Sequence, residues 1–408
     1  MNPTLEIFSQ GEEIITGQTV DSNSAWLSEQ AVHMGFTVTR HTAVGDKLGD
    51  LVDLLREIST RADCCMCTGG LGPTSDDLTA EAVSQAFNLP LRFDETAFAQ
   101  IEQFFINRNR PMPEANRKQA MLPQGALRLD NGWGTAPGFA LQLGRCWFAF
   151  MPGVPYEMRQ LFLERIQPLL ASRFVLKPGK LISIKTFGIG ESDIQQRLAG
   201  IEMPAPVQLG FRAGADEVQT KLLFPADFPV SAMADLALNV AEQLGDAVFG
   251  IDGLTQAVGS LASVVDQLMI AAGKTLAVAE TASQGLLAAK CLGSPWLLSA
   301  VYEQSLEALG QRWAVSVDAG NLPATGTTLA KALQDQSAAD FVLIQLYEGG
   351  RDQFQHKDRS MILYNTLLTG DHWQQSRHTL TGPAGRKQNQ AALSGLDMLR
   401  RYLQHKEF

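Results

Sequence analysis

The chain is poor in several features, and each shortage removes a class of function. None of its 408 residues falls in an apolar run approaching the roughly 18 needed for a membrane helix, so no membrane partner is expected. Positive charge is scarce: 33 Lys and Arg stand against 43 Asp and Glu, a formal net charge of −10. A sequence-independent grip on nucleic acid rests on neutralising phosphates, so no nucleic-acid partner is expected either. Cysteines number five, Cys64, Cys65, Cys67, Cys146 and Cys291, and the six histidines are scattered. A zinc site needs a spacing such as C-x2-C together with further ligands, so these read as reduced core cysteines, with Cys65 facing opposite to its neighbours along a strand. Internal repeats and low-complexity tracts are missing. The first residues, Met1-Asn2-Pro3-Thr4-Leu5, show no basic region or cleavage pattern, and a cytoplasmic location is expected.

What is present points to nucleotide chemistry. The stretch Thr68-Gly69-Gly70-Leu71-Gly72-Pro73-Thr74-Ser75-Asp76-Asp77-Leu78-Thr79 follows an apolar strand, Ala62 to Thr68. It precedes a segment, Leu78 to Phe87, with helical spacing of Leu78, Ala82, Val83 and Ala86. Strand, glycine-rich turn and helix start together offer free backbone N–H groups to an anion. A Cβ at Gly69, Gly70 or Gly72 would hold a phosphate away from that backbone. Asp76 and Asp77 beside such a site suit a divalent cation bridging protein and phosphate. The plainer reading is a tight turn with one aspartate capping the next helix.

A chain of this length suggests two or three domains. Strand and helix signals alternate first: strand Leu5–Ser9, helix Ser22–Met34, strand Phe36–His41, helix Leu48–Ser59, the glycine-turn strand, then strand Cys146–Met151 and a periodic helix from Pro155 through Phe174. That alternation predicts a doubly wound parallel α/β sheet, whose ligands sit at the carboxyl ends of strands. Lys177-Pro178-Gly179-Lys180 reads as a linker. A small α+β unit follows, with strands Leu181–Phe187, Val207–Phe211 and Val218–Phe224 and helices from Ser192 and over Val230–Leu244. Gly250-Ile251-Asp252-Gly253 reads as a second boundary. The remainder is a second α/β layer: helix Thr255–Ala272, strand Leu276–Ala279, helix Gln284–Leu292, strands Asp340–Leu346 and Met361–Thr366, and a final helix to about Leu403. The expected domains are 1–175, 176–250 and 251–408.

Other loops at strand ends carry candidate chemistry. Ser9-Gln10-Gly11-Glu12-Glu13 leaves the first strand, Gly17-Gln18-Thr19-Val20-Asp21-Ser22-Asn23 opens the first helix, and Gly134-Thr135-Ala136-Pro137-Gly138 precedes a strand. Met151-Pro152-Gly153-Val154-Pro155-Tyr156-Glu157 opens another helix, with Pro155 and Glu157 suited to its first turn. Thr135 and Gly153 join the phosphate-binding candidates. Glu12, Asp77 and Glu157 are the catalytic candidates, with Glu157 and Glu12 alternatives for the base.

These motifs resemble the CinA (competence/damage-inducible protein A) family along essentially the whole chain. The glycine turn carries most of the resemblance, supported by Gly17–Asn23, Asn116-Arg117-Lys118-Gln119-Ala120 and Pro152–Glu157. The resemblance implies a molybdopterin-binding-like first domain that hydrolyses ADP-ribose with a divalent metal ion, a monovalent cation being a further candidate. It also implies a KH-like middle module, a homodimer, and a nicotinamide mononucleotide deamidase domain at the C-terminal end. On this reading Gly69, Gly70, Gly72 and Thr74 cradle phosphate, Asp76 and Asp77 hold metal, and Lys118 neutralises developing charge. In the middle module, Gly188-Ile189-Gly190-Glu191-Ser192-Asp193 is too acidic to suit an RNA backbone.

The C-terminal part departs from the deamidase pattern. The family reads Ala-Glu-Ser-Cys-Thr-Gly-Gly with the serine as nucleophile, and this chain reads Ala279-Glu280-Thr281-Ala282-Ser283-Gln284-Gly285. The family's Tyr-Ser-Asn-Glu-x-Lys becomes Tyr302-Glu303-Gln304-Ser305-Leu306-Glu307, so an acid replaces the lysine. The loop Leu346-Tyr347-Glu348-Gly349-Gly350-Arg351 lacks the family's serine and proline. Reversing one charge beside a phosphate costs on the order of several kcal/mol of ligand binding. A degenerate deamidase site at Thr281, Tyr302 and Glu307 is therefore expected. The competing functions are a pterin- or nucleotide-binding module without hydrolysis, and residual deamidation through Thr281.

Overall fold

A computed structural model of the chain describes residues 2–254 and 257–406. It divides into two compact units, Met1–Gly179 and Lys180–Phe408. The division falls inside the Lys177–Lys180 segment.

In the first unit, six strands form one sheet in the order Thr37–Val44, Thr4–Gln10, Cys64–Thr68, Cys146–Met151, Gly138–Leu143, Leu127–Leu129. The first four run parallel, and the last two are antiparallel additions at one edge, so the sheet is mixed rather than wholly parallel. Two-residue periodicity splits the central strands between two cores. Phe8, Cys65, Cys67, Phe148 and Phe150 face the helices Leu48–Arg61 and Thr79–Phe87. Leu5, Ile7, Cys64, Met66 and Ala149 face Ser22–Met34 and the helical stretch Pro155–Arg173, whose middle turn, Phe162–Ile166, is a π-helix. Helices therefore cover both faces, as the alternation predicts. All five cysteines are buried free thiols, and Cys65 and Cys67 share one face with their sulfurs 3.6 Å apart. Burial pushes the Cys291 thiol up to about 12, so it stays protonated and inert at neutral pH.

The second unit holds two sheets. Strands Gln208–Ala213, Val218–Phe224, Lys180–Thr186 and Val248–Asp252 form an antiparallel sheet in that order. Gly250, Ile251 and Asp252, expected to mark a boundary, are paired residues of its edge strand. The other sheet runs Leu297–Tyr302, Leu276–Glu280, Phe341–Tyr347, Met361–Thr369, His372–Leu380. Its first three strands are parallel and its last two antiparallel. Helices Leu261–Ala272 and Ala384–Leu403 cover one face, and Leu306–Trp313 and Leu322–Ser337 the other. The helix expected from Thr255 begins at Leu261, where Ser260 caps it by accepting from the Ser263 amide. Thr255 itself lies outside the described residues. Among the described residues no helix is long and apolar enough to cross a membrane.

Candidate functional site

The strand Thr4–Gln10 has its parallel neighbours on opposite sides, Thr37–Val44 and Cys64–Thr68. Chain connections leave in opposite directions there, which opens a crevice at the carboxyl ends of the strands. A cleft of about 470 Å³ lies in that position, lined by Gly69, Gly70, Gly72, Gly153 and Thr135 among others. Its acidic lining is Glu13, Asp21, Asp46, Asp76, Asp77 and Glu157, and among the described residues no Lys, Arg or His lines it.

The glycine turn is held by protein groups. Gln10 bridges it: its Nε2 donates to Asp46 Oδ1 at 2.9 Å and to the Asp76 carbonyl at 3.3 Å, while its Oε1 accepts from Thr79 Oγ1 at 2.5 Å. Thr79 Oγ1 also lies 3.0 Å from the Gly69 carbonyl. Gly70 has φ +65°, and a Cβ there would overlap Gln10 Oε1 and Thr79 Oγ1. Its side-chain vacancy therefore faces protein and not the cleft, a correction to the expectation that the vacancy serves a phosphate. Gly153 is the glycine with room: a Cβ there meets only the Gly69 backbone, its Cα at 3.4 Å.

Neither aspartate caps the following helix, whose N-cap Leu78 has no side-chain partner. Asp77 turns back, its Oδ2 accepting from the Thr74 amide at 2.8 Å and from Thr74 Oγ1 at 2.5 Å, and a Cβ on Gly72 would strike that carboxylate. The Thr74 hydroxyl and the residue's own backbone draw the exposed Asp76 carboxyl below its ordinary value, with the Lys118 charge adding a smaller pull. Both aspartates are thus lodged on one clasped loop beside an uncapped helix start.

Other candidates are placed differently. Thr74 and Lys118 do not line the cleft: Lys118 Nζ donates to the Thr74 carbonyl at 2.7 Å and lies on an adjoining hollow that shares Gly70, Gly72 and Asp77 with the cleft. Glu12 is also outside the lining, its amide donating to Asp46 Oδ2 at 3.0 Å. Glu157 lines the cleft and accepts from Asn131 Nδ2 at 2.8 Å, which ties it to the loop before Thr135. Asp46 was not singled out in the sequence. It follows a strand that runs to Val44, three residues beyond the predicted His41, and that extension carries it to the cleft. Asn23 is buried, donates to the Gly153 carbonyl at 2.7 Å and to Thr68 Oγ1 at 3.2 Å, and leaves Oδ1 without a partner.

The donor set suits a hard cation of modest demands. Among the described residues no three His, Cys, Asp or Glu groups sit close enough to cage a metal. Magnesium-type sites commonly take one or two carboxylates and complete their shell with phosphate and water. Asp76 and Asp77 are two carboxylates on one loop in an acidic cleft, with Asp77 Oδ2 already accepting from Thr74.

In the second unit, Thr281 is buried and its Oγ1 donates to the Gln345 carbonyl at 2.8 Å. It borders a hollow of about 440 Å³ whose charged lining, among the described residues, is Glu307 and Glu348. Tyr302 does not line that hollow. Ser283, two residues on, is buried between the Glu280 carboxylate and Gln345 Oε1.

Residues 6–172 match the family described as a probable molybdopterin binding domain. The CinA-like protein of Shewanella pealeana is 34% identical over 349 residues, 83% of this chain and 81% of that protein. The CinA-like protein of Shewanella woodyi is 37% identical over 285 residues, 70% of this chain and 66% of its own length. A solved CinA structure from Thermoplasma acidophilum is 30% identical, covers 41% of this chain and 98% of its own, and superposes with a TM-score of 0.39. On the strength of the Shewanella matches, the chain belongs to the CinA-like protein family.

Proposed function

We propose that the first unit binds a nucleotide diphosphate, ADP-ribose in the reading favoured here, and hydrolyses its diphosphate. The observation that carries this is the clasped glycine turn beside an uncapped helix start, at the switch point of a doubly wound sheet, within a carboxylate-lined cleft. The backbone of Gly70 to Gly72 faces a phosphate, since the Gly69 amide is spent on the Met151 carbonyl and the Thr79 amide on the Gly70 carbonyl. Asp76 and Asp77 hold the divalent metal. When bound, the metal offsets phosphate charge and lowers the pKa of its water. Of the two candidate bases only Glu157 borders the cleft, so it takes the proton of the attacking water while Asn131 fixes its orientation. Water oxygen bonds to one phosphorus and the bridging P–O bond breaks, yielding two monophosphates. Lys118 acts from behind, by holding the Thr74 carbonyl.

The C-terminal site is proposed to be inactive as a deamidase. The Thr281 proton is directed at a backbone carbonyl, which is no base, and the adjoining hollow carries two carboxylates where a nucleotide phosphate would dock. A homodimer is carried with the proposal and is checked by light scattering. The matched family description favours a second reading, binding of a pterin phosphate without cleavage.

One paired assay separates these. The purified chain is incubated with ADP-ribose and, separately, with nicotinamide mononucleotide, in each of several divalent metals. Release of AMP that stops in Gly153→Asp, which sets a carboxylate over the turn, supports the pyrophosphatase. Binding without AMP release supports the pterin-type reading, and ammonia from nicotinamide mononucleotide overturns the inactive-site reading.

A further inference from the structure

A hollow of about 1300 Å³ in the second unit belongs to neither site above. It lies between the loop after strand Lys180–Thr186, the turn joining Gln208–Ala213 to Val218–Phe224, the edge strand His372–Leu380, and the start of the final helix. Its charges are unequally spent. Asp216 pairs with Lys290 at 3.1 Å and accepts from Asn389 at 2.7 Å. Asp397 is held by Arg400 and Arg401. Glu217 accepts from Gln219 at 2.5 Å, and Glu191 occupies the first turn of helix Glu191–Arg197, where the helix dipole favours an acid. The guanidinium groups of Arg377 and Arg386, by contrast, have no ion pair or side-chain hydrogen bond among the described residues.

The wall that carries these arginines is electropositive for a second reason. Helix Ala384–Leu403 has 20 residues, no side-chain cap and no acid in its first turn. Its early positions hold Arg386 and Lys387 instead, against the usual preference for acids at a helix start. Lys387 is fully buried and its Nζ contacts three carbonyls, of Gln353, Phe354 and His356, so no carboxylate there offsets its charge. The facing wall offers the half-buried Phe187 and Ile189.

We propose that this hollow binds a phosphorylated small molecule of nucleotide size, its phosphate forked by Arg377 and Arg386 and its body against Phe187 and Ile189. Guanidinium forks match phosphate oxygens in pairs. The volume far exceeds what one phosphate fills, which is why the ligand needs a body. The site is independent of the first-unit cleft.

Calorimetric titration of the full chain with AMP and with inorganic phosphate tests it, in a Gly153→Asp background that blocks the first cleft. AMP binding there is expected, with inorganic phosphate weaker. Arg377→Ala with Arg386→Ala is expected to weaken AMP by about tenfold or more, and Arg→Lys at both to restore part of it. Both side chains are exposed, so unchanged circular dichroism is the folding check. No AMP binding in the blocked background, or affinity indifferent to both arginines, overturns the proposal. Phosphate binding as tightly as AMP overturns the nucleotide-sized class. Failure of ADP-ribose hydrolysis bears on none of these readings.

Discussion

Replacing Gly70 by alanine is expected to destabilise the first unit before it touches any ligand. At φ +65° an L-residue is strained by about 1–3 kcal/mol. The added methyl also overlaps Gln10 Oε1 and Thr79 Oγ1, which are bonded to each other at 2.5 Å and buried. Parting them leaves the buried Gln10 Oε1 without its donor, since the Thr79 hydroxyl can turn to the Gly69 carbonyl, a further cost of about 1–3 kcal/mol. The sum is at least about 2 kcal/mol, roughly 4–8 °C for a unit of this size. Because the chain has two units, the readout must belong to the first. Urea-dependent hydrogen exchange on peptides from Met1–Gly179 provides that. Gly153→Ala is the control, meeting only the Gly69 Cα at 3.4 Å, and it should stay within about 0.5 kcal/mol of the parent. If Gly70→Ala exchanges like the parent, the Gln10–Thr79 bridge does not require a glycine and the account of the turn is wrong.

Asp77→Asn should raise the metal concentration needed for half-maximal AMP release by about 10–100-fold, with near-parental turnover at saturation; an unchanged metal titration removes Asp77 from the proposed donor set. Lys387→Met should cost about 1–3 kcal/mol in the second unit, since the buried Phe354 carbonyl and the part-buried carbonyls of Gln353 and His356 lose their donor, and protease sensitivity at Gln353–His356 should rise with it. Parental resistance there would show that Lys387 does not pin the segment. Lys274 and Thr275 hold the Asp340 carboxyl below its ordinary value, so its stabilisation is present above the unfolded carboxyl pKa of about 3.9 and fades as pH falls through the lower folded value. Asp340→Asn should therefore lower second-unit stability at pH 7 and flatten its loss below about pH 4; identical acid limbs would refute the linkage.

Elements with strong local punctuation were legible in the sequence. Ser22–Met34 begins at a capping Asp21 and ends at a left-handed Gly35, and Val230–Leu244 lies between Pro229 and Gly245. Elements whose character is set by tertiary position were not. His372–Leu380 is an edge strand with mostly exposed side chains, so it lacks the apolar alternation that marks a strand. Val248–Asp252 carries a glycine inside a strand, and the glycine suggested a linker until pairing with Lys180–Thr186 decided otherwise. In the same way the glycine turn announced the first cleft, but side-chain direction did not follow from spacing. Lys118 and Glu12 lie close in sequence to groups of the cleft and outside its lining. Asp46 reaches it only because a polar strand, Thr37–Val44, runs longer than its pattern suggests.

The absence of basic side chains from the first cleft has a kinetic consequence. Most phosphate sites draw anions in, and added salt slows that capture by screening the attraction. On the proposed function, an approaching free nucleotide would meet Glu13, Asp21, Asp46, Asp76, Asp77 and Glu157 around one mouth. Raising ionic strength shortens the screening distance, to about 8 Å at physiological salt, and so eases entry rather than hindering it. Cations, in turn, accumulate at the mouth ahead of any anion. Capture of the nucleotide should thus speed up with salt, opposite in sign to a lysine-lined site and visible in stopped-flow association rates.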